Sequence, residues 1–185
     1  MKICMLAPEF PPVWGGVGTY AFELVRHLPR NIEIHVLTTI RKRYGSEKIN
    51  ICDHENFTET LGDNVYVHSI SEATDTFIYN GEFQYACLKY LPKLIREEHI
   101  DLIHSHTAHM PDLLVRLKKL DEPIITTIHT TIKGQREGTR ASGSSFWDLE
   151  FSEKMTFIMY PFLRLIENLY FTKGHYYITP SNYMK

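Results

Sequence analysis

The chain has 185 residues, 20 Lys+Arg against 22 Asp+Glu for a net charge of −2, 43% apolar residues and three cysteines, Cys4, Cys52 and Cys87. That length allows about one domain with a real core, and the balanced charge excludes a nucleic-acid binder held by a strong basic field. An odd, widely spaced cysteine set is no disulfide framework and fits a reducing compartment; the first apolar run is too short for a leader and no stretch reaches the ~20 apolar residues of a membrane span, so a cytoplasmic location is expected.

Two periods then alternate along the chain. Lys2 to Ala7 is a short apolar run, the mark of a buried strand. Val17, Tyr20, Ala21, Leu24, Val25 and Leu28 recur at helical spacing, and Pro29 should stop that helix. Ile32 to Thr39 reads as a second strand and Asn64 to Ile70 as a third. Phe83, Ala86, Cys87, Tyr90, Leu91, Leu94 and Ile95 mark a second helix, with a kink expected at Pro92. Next come a strand over Ile100 to Ser105, a helix opened by Pro111 and carried by Leu113, Leu114, Leu117 and Leu120, and a strand over Ile124 to Ile128. Lys133 to Ser145 holds Gly134, Gly138 and Gly143, has no period and reads as a loop.

Ser152 should cap a helix whose apolar stripe runs Met155, Ile158, Met159, Phe162, Leu165, Ile166 and Leu169 across Pro161. Core packing is the expected use of that stripe, with peripheral membrane contact as its second. His175 to Thr179 is the last strand. Pro180-Ser181-Asn182 resembles a helix start close to the chain's end, so a piece of a longer protein is expected. Alternation of this kind builds βαβ units into an α/β fold, a mostly parallel sheet with helices on both faces. Ligands then bind beyond the carboxyl ends of the strands.

Three groups of residues stand at such ends. Pro11-Pro12-Val13-Trp14-Gly15-Gly16-Val17-Gly18 joins the first strand to the first helix. Glycine there lets a ligand approach the backbone and permits positive φ, and the first amides of the helix suit a phosphate or diphosphate. Gly16 to Ala21 also fits the dinucleotide fingerprint, with Arg41, Lys42 and Arg43 as a 2′-phosphate clamp. Against it, Pro8 to Gly15 separate the fingerprint from its strand, and the second strand ends without an acidic residue.

The second group is His104-Ser105-His106-Thr107-Ala108-His109, with His129 ending the next strand. Neutral imidazole binds metal, moves protons or hydrogen-bonds a sugar hydroxyl. The spacing is similar to the His-x-His-x-Asp-His run of metallo-β-lactamases, but Ala108 stands where that family has Asp, so no metal is expected. His104 and His109 read as satisfied core or surface groups; His106 and His129 should converge on a crevice. The third group is Lys133, Arg136 and Arg140, which could clamp an anionic acceptor.

Taken together, Pro-Pro-Val-Trp-Gly-Gly-Val after the first strand, Asp101-Leu102-Ile103-His104-Ser105-His106, Thr126-Thr127-Ile128-His129 and Thr179-Pro180-Ser181-Asn182 resemble the retaining glycosyltransferases of the glycogen synthase and sucrose synthase type, the group 1 family. The resemblance covers nearly the whole chain. It implies a Rossmann-like, doubly wound domain, the N-terminal acceptor-side half of a GT-B architecture spanning residues 1–185, with the donor-binding C-terminal domain absent from this chain. It implies a nucleotide sugar and a carbohydrate or other hydroxyl acceptor as substrates, transfer with retention, and no metal. Gly15 and Gly16 would lie against donor diphosphate and acceptor, His106 would contact the transferred sugar as the catalytic histidine, and His129 would line the same crevice. Trp14 stands where glycogen synthases proper carry Lys, and Thr107-Ala108-His109 replace their His-Asp-Trp continuation. The family's Glu-x7-Glu donor pair belongs to the second domain, so Glu47 and Glu55 match its spacing by coincidence. The isolated chain is expected to be inactive. The alternatives are a non-catalytic sugar- or nucleotide-binding module and an NAD(P)-binding oxidoreductase domain.

Overall fold

A computed structural model describes residues 1–11, 15–41, 43–44, 47–48, 60–73, 79–107, 110, 112–118, 120–143, 145–149, 151–171 and 176–180. Pro12, Val13, Trp14, Lys42, Cys52, Glu55, Ala108, His109, Pro111, His175, Ser181 and Asn182, all used above, lie outside them. In chain order the elements are β1 (Lys2–Leu6), α1 (Gly16–His27), β2 (Glu33–Arg41), the short strands β3 (Arg43–Tyr44) and β4 (Glu47–Lys48), β5 (Val65–Ala73), α2 (Tyr79–Glu98), β6 (Leu102–Thr107), α3 (Leu113–Leu117), β7 (Ile124–Ile128), α4 (Ile132–Ala141), α5 (Phe151–Ile158), α6 (Tyr160–Tyr170) and β8 (Tyr176–Ile178).

Six strands form one sheet in the order β5-β2-β1-β6-β7-β8, and every pairing in it is parallel. Antiparallel β3 and β4 pair only with each other. Strand order reverses between β1 and β6, the arrangement of a doubly wound, Rossmann-like α/β sheet. Alternation along each strand divides the core. Met5, Ala7, Ile34 and Val36 pack under Ala21, Phe22 and Val25 of α1. Cys4, Leu6, Leu37 and Ile103 face the other way, toward Phe83, Cys87, Leu91 and Leu94 of α2 and Val115 of α3. Burial raises the Cys4 and Cys87 thiols, and both cysteines are free.

Local signals explain most boundaries. Leu28, extended before Pro29, ends α1 as the sequence predicts. Pro92 does not end α2, which runs on to Glu98. Proline removes the donor that the Leu88 carbonyl would meet, and the Lys118 ammonium takes that place at 3.3 Å. His99 then adopts left-handed backbone, φ 56°, and the Ile100 amide returns to the Ile95 carbonyl at 3.4 Å, a Schellman-type stop.

Two expectations are corrected. Lys133 to Ser145 is not a loop: its first part is helix α4. Thr131 caps it, its hydroxyl accepting from the Gly134 amide at 3.0 Å. The Glu167 carboxylate of α6 accepts from the Ile132 amide at 2.6 Å. The Met155–Leu169 stripe is not one buried face. It breaks at Met159 into α5 and α6, α5 starts at Phe151 ahead of Ser152, and Ile158, Phe162, Leu165 and Leu169 are exposed. No described helix is long and apolar enough to cross a membrane.

Behind β7 lies a buried polar knot. Asp112 accepts from Arg116 Nε at 2.5 Å, Thr126 Oγ1 at 3.0 Å and the Tyr170 hydroxyl at 2.5 Å. Arg116 also reaches Thr126 Oγ1 at 2.6 Å, and the Tyr177 hydroxyl donates to the Tyr170 carbonyl at 2.8 Å. The knot joins α3, β7, α6 and β8 on the face away from α1.

Candidate ligand-binding site

The strand order reverses between β1 and β6, and sheets of this kind bind ligands beyond the carboxyl ends of the strands at that point. Pleating sends His104 and His106 of β6 to the α1 face, and their ring centroids are 4.0 Å apart. His106 pairs in register with Thr127 of β7, and the Thr127 hydroxyl lies 2.9 Å from His104 Nε2. His129 follows the last residue of β7, 5.9 Å from His106 between ring centroids. Tyr20 of α1 completes the cluster, 5.7 Å from His106 and 4.8 Å edge-on to His129. His106 and His129, read from the sequence as convergent, are thus brought together.

His106 has 0% of its surface exposed, and neither ring nitrogen has a hydrogen-bond partner among the described residues. Burial, then the neighbouring His104 and His129, push its pKa down to about 2. Burial, then His129, bring His104 to about 4. His129 is lowered by burial, with Glu9 acting in the opposite direction. All three imidazoles are therefore neutral near pH 7. A neutral ring offers one donor and one acceptor, a match for hydroxyl groups rather than for an anion.

Gly15 and Gly16 stand at the amino end of α1, where Gly15 is the N-cap without a side-chain cap. Their value is not positive φ: Gly15 is extended at φ −121°, and the left-handed glycines among the described residues are Gly62 and Gly143. Space is what counts. A Cβ on Gly15 would meet Glu9 Oε2 at 2.7 Å, whereas one on Gly16 would meet open space. Glu9 also accepts from the Tyr79 hydroxyl at 3.2 Å. A carboxylate thus stands beside the first turn of α1.

Lys133 and Arg136 are placed otherwise. On α4, Lys133 pairs with Glu137 at 3.7 Å. The Arg136 guanidinium lies 4.0 Å from the Tyr160 ring centroid and 5.7 Å from that of Phe157. Arg140 sits 6.0 Å from Phe157. These contacts tie α4 to α5 and α6 and do not include the histidines. The α4 amino terminus is satisfied internally by Thr131 and Glu167.

Tyr20, Glu9 and Tyr79 join the site without having been singled out in the sequence. Tyr20 was absorbed into the apolar stripe of α1; its place one turn after Gly16 is the signal that marks it. His104, expected to be a satisfied core or surface group, is held by Thr127 and packs on the central imidazole.

A second polar cluster lies at the opposite, amino-terminal end of the strands. Glu33, His35 and Glu98 each offer a ligand atom within 4.8 Å of the others. The Lys2 ammonium already stands between the two carboxylates, 2.7 Å from Glu33 and 3.3 Å from Glu98. His35 Nδ1 lies 3.0 Å from His68 Nε2, and the Tyr90 hydroxyl 3.2 Å from His68 Nδ1. This cluster ties β2, β5 and α2 together.

The sequence profile described as Glycosyltransferase Family 4 matches residues 14–185. No curated protein matches the chain. Among solved structures, the chain is similar at 13% identity to Enterococcus italicus Csm6 bound to cyclic hexa-2′-fluoro-hexa-dAMP, with a TM-score of 0.40. That likeness covers 64% of this chain and 30% of the other, and carries no argument.

Proposed function

Because the chain belongs to glycosyltransferase family 4, we propose that it is the acceptor-side, N-terminal Rossmann-like domain of a GT-B enzyme, moving a sugar from a nucleotide sugar to a hydroxyl acceptor with retention of configuration. The observation that carries the reading is His106: a neutral, fully buried imidazole at the carboxyl end of β6, with both ring nitrogens unbonded among the described residues. Leaving two buried polar atoms unpaired is costly. Two sugar hydroxyls would satisfy them, one accepting from the ring N–H and one donating to the other nitrogen.

The other roles follow from position. The open amides at Gly15 and Gly16 carry partial positive charge and suit the donor diphosphate. His129 lines the cleft beside His106. Glu9, held by Tyr79, is set to accept from a hydroxyl of the acceptor. Lys133 and Arg136 would meet an anionic acceptor only after giving up their contacts on α4 to α6. This reading invokes no metal: the charge on the departing nucleotide diphosphate falls to the helix amides at Gly15 and Gly16. The main donor site belongs to a second domain outside this chain, so residues 1–185 alone should not transfer sugar. Cytoplasmic enzymes have nucleotide sugars at hand, and the exposed apolar stripe of α5 and α6 leaves room for peripheral membrane contact.

The test is His106→Ala in the full-length protein. Turnover should fall about a hundredfold or more, the scale of a lost contact to the reacting sugar, with the melting temperature within a few degrees of the parent. Unchanged turnover would remove His106 from the site. The oxidoreductase alternative finds no support at the end of β2, where Thr38, Thr39 and Ile40 stand in place of an acidic residue.

A further inference from the structure

A group meant to touch a ligand has no exposed surface here, so something must move before His106 can do so. Three described rings close over it. His104 is fixed by Thr127 at 2.9 Å. His129 directly follows β7, and its ring is half-buried. Tyr20 differs from both. Its ring is 36% exposed, and its hydroxyl makes no hydrogen bond among the described residues. It projects from the second turn of α1, four residues after Gly16. Helical tyrosines occupy two χ1 wells, so its ring can leave the imidazole without any backbone change.

We propose that Tyr20 is the movable cover of His106: its ring seals the imidazole in this structure and swings aside when a ligand enters the crevice. The inference rests on the reading of His106 as the ligand-facing group. It adds a positioning residue that the ligand must displace and against whose face a sugar ring can then lie. In the closed arrangement the aromatic ring stands 5.7 Å from the imidazole between centroids. In the open one, the imidazole becomes reachable by a ligand. The cover is built on α1, the same helix whose amino end would hold the diphosphate, so occupancy of one is felt at the other within a single turn.

The test is histidine footprinting of the ligand-free full-length protein with diethyl pyrocarbonate, read peptide by peptide. The reagent acylates neutral imidazole, and His106 is neutral near pH 7, so its rate reports access alone. His27, 72% exposed, serves as the internal standard. In the parent, His106 should react far more slowly than His27. Tyr20→Ala should raise the His106 rate about tenfold or more, as expected when a local barrier to access is removed, while His35, remote and buried, stays slow. Tyr20→Phe should behave as the parent, because the ring and not the hydroxyl forms the cover. Tyr20→Leu, which keeps an apolar helix former at the position, repeats the measurement if the alanine variant melts early. An unchanged His106 rate in a folded Tyr20→Ala or Tyr20→Leu variant overturns the proposal. No donor or acceptor is present, so this outcome is separate from the turnover test of His106→Ala: either can fail while the other stands.

Discussion

His106 and its neighbours set the acid sensitivity of the fold. In the folded chain His106 titrates near 2 and His104 near 4; in the unfolded chain both titrate near 6.5. Below that pH the unfolded chain binds more protons than the folded one, so stability falls as pH falls, by about 1.4 kcal/mol per pH unit for each histidine. The share of His104 ends near pH 4, whereas that of His106 continues below it. Urea denaturation of His106→Leu across about pH 6 to 4 should therefore lose about 1.4 kcal/mol less per pH unit than the parent. Parallel slopes for the two proteins would mean that His106 is protonated while folded. The same seclusion explains why residue types alone made His106 legible but Tyr20 invisible. A histidine ending a strand is rare enough to notice, whereas a tyrosine in an apolar stripe looks like every other core contact until its ring is seen against two imidazoles.

Elements were legible where hydrophobic period and burial agree, as in β1, β7 and α1. They were not where tertiary contacts overrule composition. Helix α4 carries two glycines and one buried apolar residue, Ile132, so no stripe announces it. It exists through Thr131 at its cap, Glu167 at its first amide and the arginines laid on Tyr160 and Phe157. At α5 and α6 the mismatch runs the other way. Their period is strong, but Pro161 and the break at Met159 turn Ile158, Phe162, Leu165 and Leu169 outward. Substituting Leu165→Lys should consequently change folding stability by no more than about 0.5 kcal/mol, measured by chemical denaturation of the chain. A loss of about 2–5 kcal/mol, the cost of emptying a core position, would place Leu165 in the interior instead.

Across the whole molecule, the sheet is held from behind by charge rather than by hydrocarbon alone. Asp112 is wholly buried and Arg116 nearly so, and three donors converge on that one carboxylate. Asp112→Asn leaves the guanidinium buried without its counter-charge and should cost about 3–5 kcal/mol. Tyr170→Phe removes one hydroxyl and should cost about 1–3 kcal/mol. Equal losses for the two variants in urea titrations would deny the ion pair its role. The knot fixes α3, β7, α6 and β8 behind β7, and so positions the strand end from which His129 emerges.

Glu167 has a further consequence for the order in which this architecture can assemble. The residue that completes the α4 amino terminus lies 35 positions further along the chain. Short helices poor in apolar residues do not persist by themselves. Residues 132–141 thus depend for their shape on a segment made after them, and amide exchange should show α4 and α6 opening together as one cooperative unit.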